Sequence, residues 1–414
     1  MKALKFTKDR EQILRNQVID TEQPGSVLRD FRTVLDFVGV QGVTAAGKYN
    51  LLPIEAIAEL DARLSRPLRL EMKRPQLRSH PYLWGLQLLL RASALSRVEG
   101  TGAQARLLLD PSMLAQWNHL NATEQYFTLL EAWLRIGRAE MVGGQGRYSF
   151  GDLLMLCLQT WQHLPAKGER YDVKKPQYVY VSFIGREFYQ LALMDLFGLI
   201  EVVQPPRGVT PWCPAAVRHT PFGDAMFALL SDHFLSMQYD LIAEEDASQP
   251  PRFGDWQPIF QPYFPEWREN LHVPEIESRD GIFLFRVSLG KVWRRIALRA
   301  GDTIDDLVAW ILKSVDFDSD HLYELQCRDR FGRTMRILHP YMEEQGEGPS
   351  GAEVSLGELP LLPGQSMTLV YDFGDNWHFD VKLETIEPPD AKIKAPSVLE
   401  EHGQAPEQYP SWDE

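Results

Sequence analysis

Tyr371-Asp372-Phe373-Gly374-Asp375-Asn376-Trp377-His378-Phe379-Asp380 reads as a β-hairpin, with aromatic residues alternating along two arms and a polar turn between them. Phe373-Gly374-Asp375-Asn376 supplies Gly374 and Asn376, which tolerate positive φ near the turn. Alternation sets Tyr371, Phe373, Trp377 and Phe379 apart from Asp372, His378 and Asp380, subject to what the turn does to the register. The first reading is structural: Asp372 and Asp375 accept backbone N–H bonds that hold the turn while Trp377 packs.

Working outward, a period of two marks strands at Ile282–Leu289, Val292–Leu298, Leu322–Cys327, Thr334–Leu338, Met367–Tyr371 and Trp377–Glu384. Between the second and third, Thr303-x-x-Asp306 is a capping box, and Ile304, Leu307, Val308 and Ile311 form the buried stripe of one helix. Residues 276–388 are therefore expected to form an α+β domain of β-grasp-like type, with one main helix packed on a sheet. Residues 389–414 are rich in Pro, Glu and Lys and are expected to be a polar tail without a fold of its own.

Four blocks in this domain carry a family resemblance: Val292-Trp293-Arg294-Arg295-Ile296, Asp318-Ser319-Asp320-His321-Leu322-Tyr323-Glu324-Leu325, Val354-Ser355-Leu356-Gly357-Glu358-Leu359, and Tyr371 to His378 running on to Leu383-Glu384. In that order over roughly Ile282–Glu387 they resemble the plasmid pRiA4b ORF-3 family, whose members also carry the label IS1096 element passenger TnpR-like protein. The resemblance implies a domain found on plasmids, mobile elements and bacterial chromosomes, with no established reaction. Its signature residues here are Trp293, Arg294, Arg295, His321, Tyr371, Asp372, Phe373, Gly374, Asp375, Trp377 and Glu384. Family members often end in a Cys-containing, Gly-rich segment, whereas this chain runs Glu400 to Glu414 without one, and no recombinase-type nucleophile motif accompanies it.

The first 245 residues are mostly helical by periodicity, with helices at Ile54–Leu64, Tyr82–Leu95, Tyr126–Ile136 and Phe188–Phe197. Two units look alike. In one, Leu95–Glu99, a Gly-containing turn and Arg106–Leu109 lead to Asp110-Pro111; in the other, Leu199–Val203, a Pro/Gly loop and Val217–His219 lead to Thr220-Pro221. Asp110 and Thr220 cap the helix that follows, with Pro at its first position, where the missing N–H costs nothing. A third, weaker echo is Gly42–Gly47. Helix, strand, loop and strand point to two winged-helix-like modules, residues 1–140 and 141–245. Residues 246–275 read as a solvated linker followed by an extended aromatic strap, because Pro250, Pro251, Pro258, Pro262 and Pro265 oppose a regular helix or inner strand.

A net charge of -14 argues against a general nucleic-acid coat, although a local basic face remains open. Arg63, Arg66, Arg69, Lys73, Arg74 and Arg78, then Lys167, Arg170, Lys174 and Lys175, and Arg207 in the second wing-like loop are the candidate nucleic-acid contacts; Arg97 and Arg106 flank the first loop. Cys157, Cys213 and Cys327 stand far apart and form neither a disulfide framework nor a zinc knuckle. The best apolar run, Tyr82–Leu90, stops at Arg91, and the first ten residues carry no apolar signal core, so the expected compartment is the cytoplasm, with no membrane partner.

These features favour a non-enzymatic binding or accessory protein of plasmids or mobile elements, acting by DNA or protein contact and needing no cofactor. The alternative is a metal-dependent nuclease or phosphodiesterase whose carboxylates and imidazoles, Asp318, Asp320, His321, Asp372, Asp375 and His378, converge with Asp316 on a divalent metal. Asp316-x-Asp318-x-Asp320 lacks the spacing of a calcium loop. Arg294 and Arg295 point to opposite strand faces, and one of them is expected to pair with these hairpin and loop carboxylates, a phosphate contact being the second choice.

Overall fold

Each strand pair expected in the helical half closes a three-stranded sheet with a strand further upstream. A computed structural model describes residues 5–70, 72, 76–100, 102–144, 150–165, 167–172, 188–206, 212–236, 252–275, 277–329, 331–342 and 348–409. One unit comprises Met1–Glu245 with Pro251–Val273, and the other takes in Pro274–Glu414.

In the first unit β1 (Val43–Thr44), β2 (Ser96–Glu99) and β3 (Arg106–Leu109) form a sheet in the order β1-β3-β2. Upstream lie the helices Val27–Val38, Ile54–Arg63 and Pro81–Ala92. The pattern recurs with β4 (Glu169–Arg170), β5 (Ile200–Val203) and β6 (Ala216–His219) in the order β4-β6-β5, alongside the helices Phe150–His163 and Tyr189–Leu196. Asp110 accepts from the backbone N–H groups of Ser112 and Met113 at 3.0 Å, and Thr220 accepts from Gly223 at 2.9 Å. Both caps thus form as the sequence anticipates.

The helices Pro81–Ala92 and Tyr189–Leu196 are buried along their whole lengths and pack together. Only glycine fits at position 85, where a Cβ would come within 2.8 Å of Leu193 Cγ. A polar network crosses the contact: Asp195 accepts from Arg66 at 2.7 and 2.6 Å, from the Tyr82 hydroxyl at 2.7 Å and from Val202 N–H at 2.9 Å. Gln204 donates to the Tyr82 oxygen at 2.6 Å and accepts from Trp212 Nε1 at 2.8 Å. Each donor of the Asp195 network thus has a partner, as a low-dielectric site demands.

The aromatic segment after residue 252 departs from an extended strap. It includes a one-turn helix, Gln257–Phe260, because Pro258 sits in the first turn, where no helical N–H is needed. Trp256, Phe260, Phe264 and Trp267 are buried, and Trp267 stacks on Phe127 with ring centroids 4.4 Å apart. Two buried glutamates of the helix Ala122–Glu131 hold its ends: Glu131 accepts from Gly254 and Trp256 N–H at 2.6 and 2.7 Å, and Glu124 accepts from Arg268 and Glu269 N–H at 3.0 and 2.9 Å.

The second unit is one seven-stranded sheet of β7 (Ile282–Leu289), β8 (Val292–Arg299), β9 (Tyr323–Arg328), β10 (Thr334–Leu338), β11 (Ser366–Tyr371), β12 (Trp377–Glu387) and β13 (Ser397–His402). Their order is β10-β9-β11-β12-β7-β8-β13, and every pairing is antiparallel. The helix Ile304–Ser314 opens on the expected capping box: Thr303 accepts from Asp306 N–H at 3.1 Å while Asp306 accepts from Thr303 N–H at 2.9 Å. Ile304, Leu307, Val308 and Ile311 join Phe285, Leu325, Leu369 and Phe379 in the core.

The described part of the expected tail, residues 389–409, is not without structure. β13 pairs with β8, and a bulge falls between Val398 and Glu400. Its composition is polar because it is an edge strand, whose backbone bonds are indifferent to side-chain type. Glu400 pairs with Arg295 at 3.0 Å, and His402 stacks on Trp293 with centroids 5.6 Å apart.

Candidate functional site

The loop from the helix Ile304–Ser314 to β9 is set by how that helix stops. Asp316, at φ 59°, takes the left-handed position usually given to glycine, with Phe317 N–H bonded to Leu312 O at 3.0 Å and Asp316 N–H to Lys313 O at 3.4 Å. Asp316 therefore terminates a helix. Phe317 turns inward against Trp377 and Phe379, with centroids 5.0 and 6.1 Å away, and Asp318, Ser319, Asp320 and His321 follow it across the surface.

That loop meets the hairpin. Asp372 N–H donates to Leu322 O at 3.0 Å, His321 N–H donates to the Tyr371 hydroxyl at 3.3 Å, and that hydroxyl donates to Asp318 O. Burial pushes the Tyr371 hydroxyl above its ordinary pKa. Asp372 is buried at φ 53°, and its Oδ1 accepts from Gly374 N–H at 2.9 Å. The positive-φ positions of the turn are Asp372 and Asn376, whereas the sequence pointed to Gly374 and Asn376. A short side chain that bonds the local backbone makes this conformation accessible to aspartate. Phe373 sits in the turn and is 47% exposed, so it does not share the inward face of Tyr371 and Phe379.

His321 is the centre of the arrangement. Its Nε2 lies 3.5 Å from Asp372 Oδ2, 3.6 Å from Asp320 Oδ1 and 3.0 Å from the Tyr409 hydroxyl. Tyr409 also donates to Asp320 Oδ1 at 3.2 Å. Gln408, buried beside it, accepts from Asp318 N–H at 2.6 Å and donates to the Tyr409 oxygen at 3.0 Å. Gln408 and Tyr409 escaped the sequence reading because they sit among Pro and Glu residues with no periodicity around them. Leu322, 37% exposed, and Tyr409, 51% exposed, border the cluster together with Phe373.

Of the six candidate metal ligands, the structure gathers Asp320, His321 and Asp372, with Asp318 joining through its backbone. Asp375 and His378 are exposed, and His378 pairs across the strands with Val370. Among the described residues no three His, Cys, Asp or Glu side chains form a group able to hold a metal ion. The one central imidazole nitrogen is also engaged by a phenol.

Arg294 is buried, and its guanidinium donates to Ser314 O at 2.8 Å, to Trp293 and His402 O at 3.0 Å and to Gly403 O at 3.3 Å. Arg295 pairs with Glu384 at 2.8 Å and with Glu400. The arginines therefore engage β12, β13 and backbone carbonyls, and the hairpin aspartates lie elsewhere. The three cysteines are buried and unpaired by disulfides, and burial pushes the Cys157 and Cys327 thiols up to about 12.

The basic candidates are dispersed in role. Arg66 is tied to Asp195, Arg63 pairs with Glu59, Arg97 pairs with Glu99, and Arg106 donates to the carbonyls of Gln41 and Gly42. Arg69, Arg78, Lys167 and Arg170 are exposed. Lys73, Arg74, Lys174, Lys175 and Arg207 lie outside the described residues. No helix among the described residues is long and apolar enough to cross a membrane.

Among solved structures, a protein of unknown function from Methanosarcina mazei Go1 is similar at 26% identity over 30% of this chain and 70% of that one, with a TM-score of 0.27. No curated protein matches. The signature hairpin, the Trp-Arg-Arg strand and the Asp-His loop all fall in the stretch where a known family is found: residues 283–409 match the family model of the plasmid pRiA4b ORF-3-like protein.

Proposed function

We propose that this is a non-catalytic binding protein that acts by contact with another protein, using the hairpin face of the second unit. The observation that carries this reading is the collection of exposed apolar and aromatic residues, Leu322, Phe373 and Tyr409, around a cluster whose polar groups are bonded to one another. Such a surface offers contact area on a rigid frame. The family description supports a setting on plasmids.

The first unit supports the same reading. Its repeated order of helices and a three-stranded sheet supports reading it as two winged-helix-like modules. In each, the helix before the strand pair is the one that would enter a DNA groove, and here the two are buried against each other. The modules then serve as a rigid scaffold for the protein contact, and the exposed Arg69 and Arg78 are read as solvated surface rather than as phosphate contacts.

Affinity capture from the host with the wild-type chain and with Phe373→Ala tests the reading. A partner held by the wild type and lost by the variant is expected. Equal capture by both would overturn it, as would gel-shift binding to DNA that falls steeply with salt and is lost in the Arg69→Glu, Arg78→Glu double variant. Divalent-metal-dependent DNA cleavage, abolished in a folded Asp372→Asn chain, would replace it with the enzyme reading.

A further inference from the structure

We propose that Gly403–Tyr409 is the resident occupant of a peptide-binding site on the hairpin face, and that the site takes a segment presenting a glutamine carboxamide next to a tyrosine phenol. The inference rests on the protein-contact reading and names the ligand class of the same surface. Its receptor groups are Asp318 N–H, which meets the Gln408 carboxamide at 2.6 Å, and Asp320 and His321, which meet the Tyr409 hydroxyl at 3.2 and 3.0 Å.

Two features separate an occupant from a built-in part of the fold. First, the receptor loop is held by groups outside the segment: Tyr371 bonds Asp318 O and His321 N–H, Asp372 N–H bonds Leu322 O, and Asp316 ends the preceding helix. The receptor therefore keeps its form when the segment leaves. Second, the segment has little apolar hold. Gln404, Pro406, Glu407 and Tyr409 are exposed, Ala405 packs only partly against the core, and Gln408 alone is buried. Elements held by a few polar bonds open at low cost relative to packed strands.

A tethered occupant competes at an effective concentration on the order of millimolar, so a partner segment must exceed it or be presented beside further contacts. Leu322 and Phe373 provide those contacts.

The test uses the full chain carrying Gln408→Ala and Tyr409→Ala, with a fluorescein-labelled peptide Gly-Gln-Ala-Pro-Glu-Gln-Tyr, the sequence of residues 403–409, added in trans. Anisotropy should show the double variant binding this peptide at least about tenfold tighter than the wild type does, since the wild-type site is already filled. Adding Asp320→Ala or His321→Ala should abolish the gain, and a peptide with Ala-Phe in place of Gln-Tyr should bind neither chain. A double variant with wild-type circular dichroism that ignores the peptide up to millimolar concentration would overturn the proposal, as would equal binding of the Ala-Phe peptide. Hydrogen exchange on the unaltered chain is the second measurement: residues 404–409 should exchange much faster than Ser397–His402, and equal protection would also overturn it. Because no host partner enters either measurement, its failure is distinct from that of the capture experiment.

Discussion

Replacing Asp195 by alanine removes the acceptor at the centre of the contact between Pro81–Ala92 and Tyr189–Leu196. Three donors lose a partner: Val202 N–H, the Tyr82 hydroxyl and the Arg66 guanidinium. The first two are buried, and each orphaned donor costs about 1–3 kcal/mol. The Arg66 side chain is 40% exposed and rehydrates, so its contribution is small. The expected loss is about 3–5 kcal/mol, the usual range when one partner of a buried charged pair is removed. Asp195→Asn retains an acceptor for one donor and should lose only about 1–2 kcal/mol. With a urea m-value of about 1–3 kcal/mol/M, alanine should lower the midpoint of the first unit by roughly 1–5 M and asparagine by about half as much or less. Urea titration read by hydrogen exchange in the two helices measures this unit separately. If Asp195→Ala lies within about 0.5 kcal/mol of wild type, the two helices are not locked together and the argument against groove insertion fails.

Three further outcomes follow from buried or strained groups. Burial raises the Glu131 pKa from 4.5 to about 7, against the opposing pull of Arg135 and the N–H groups of Gly254 and Trp256, while Asp255 adds to the rise. The folded state then holds a proton that the unfolded chain releases, so this stability is full below about pH 4.5 and lost as pH rises through about 7. Burial raises the Asp30 and Asp195 pKa values in the same direction. Moving from pH 8 to pH 5 should stabilise the first unit by up to about 3 kcal/mol, and Glu131→Gln should flatten most of that slope; an unchanged slope would refute the assignment. Arg294→Met strips donors from the carbonyls of Ser314, His402 and Gly403 and should cost about 2–4 kcal/mol, seen as a lower urea midpoint and lost exchange protection in β13. At Asp372, asparagine keeps both the acceptor and a tolerance of positive φ and should stay within about 0.5 kcal/mol, whereas alanine should lose about 1–2 kcal/mol by thermal melt.

Much of the second unit was legible because its signals are local. The strands Ile282–Leu289 and Thr334–Leu338 have the bounds that period-two alternation indicates, and the Thr303–Asp306 box opens the helix it announces. In the first unit, Asp110-Pro111 and Thr220-Pro221 mark helix starts, since capping involves only neighbours within three residues. β4 was missed because two residues carry no period, and β13 because an edge strand with Glu400, Glu401 and His402 looks like solvated tail. The candidate site was half legible: His321 and the hairpin were named, while Gln408 and Tyr409, nearly ninety residues from the His321 loop, were not.

By itself the sequence determined most strands and the main helix of the second unit, the capped helix starts at Asp110-Pro111 and Thr220-Pro221, and the stretch of roughly Ile282–Glu387 that carries the family resemblance. Those features depend on the period of apolar residues and on short-range hydrogen bonds, both written within a few residues of the element they form. Only the tertiary structure decided that Arg66 meets Asp195, that Arg295 meets Glu384 and Glu400, and that His321 stands between Asp372 and Tyr409. A charged or polar side chain can satisfy its hydrogen bonds with many partners, and which one it finds is set by the packing of apolar surface that brings distant segments together.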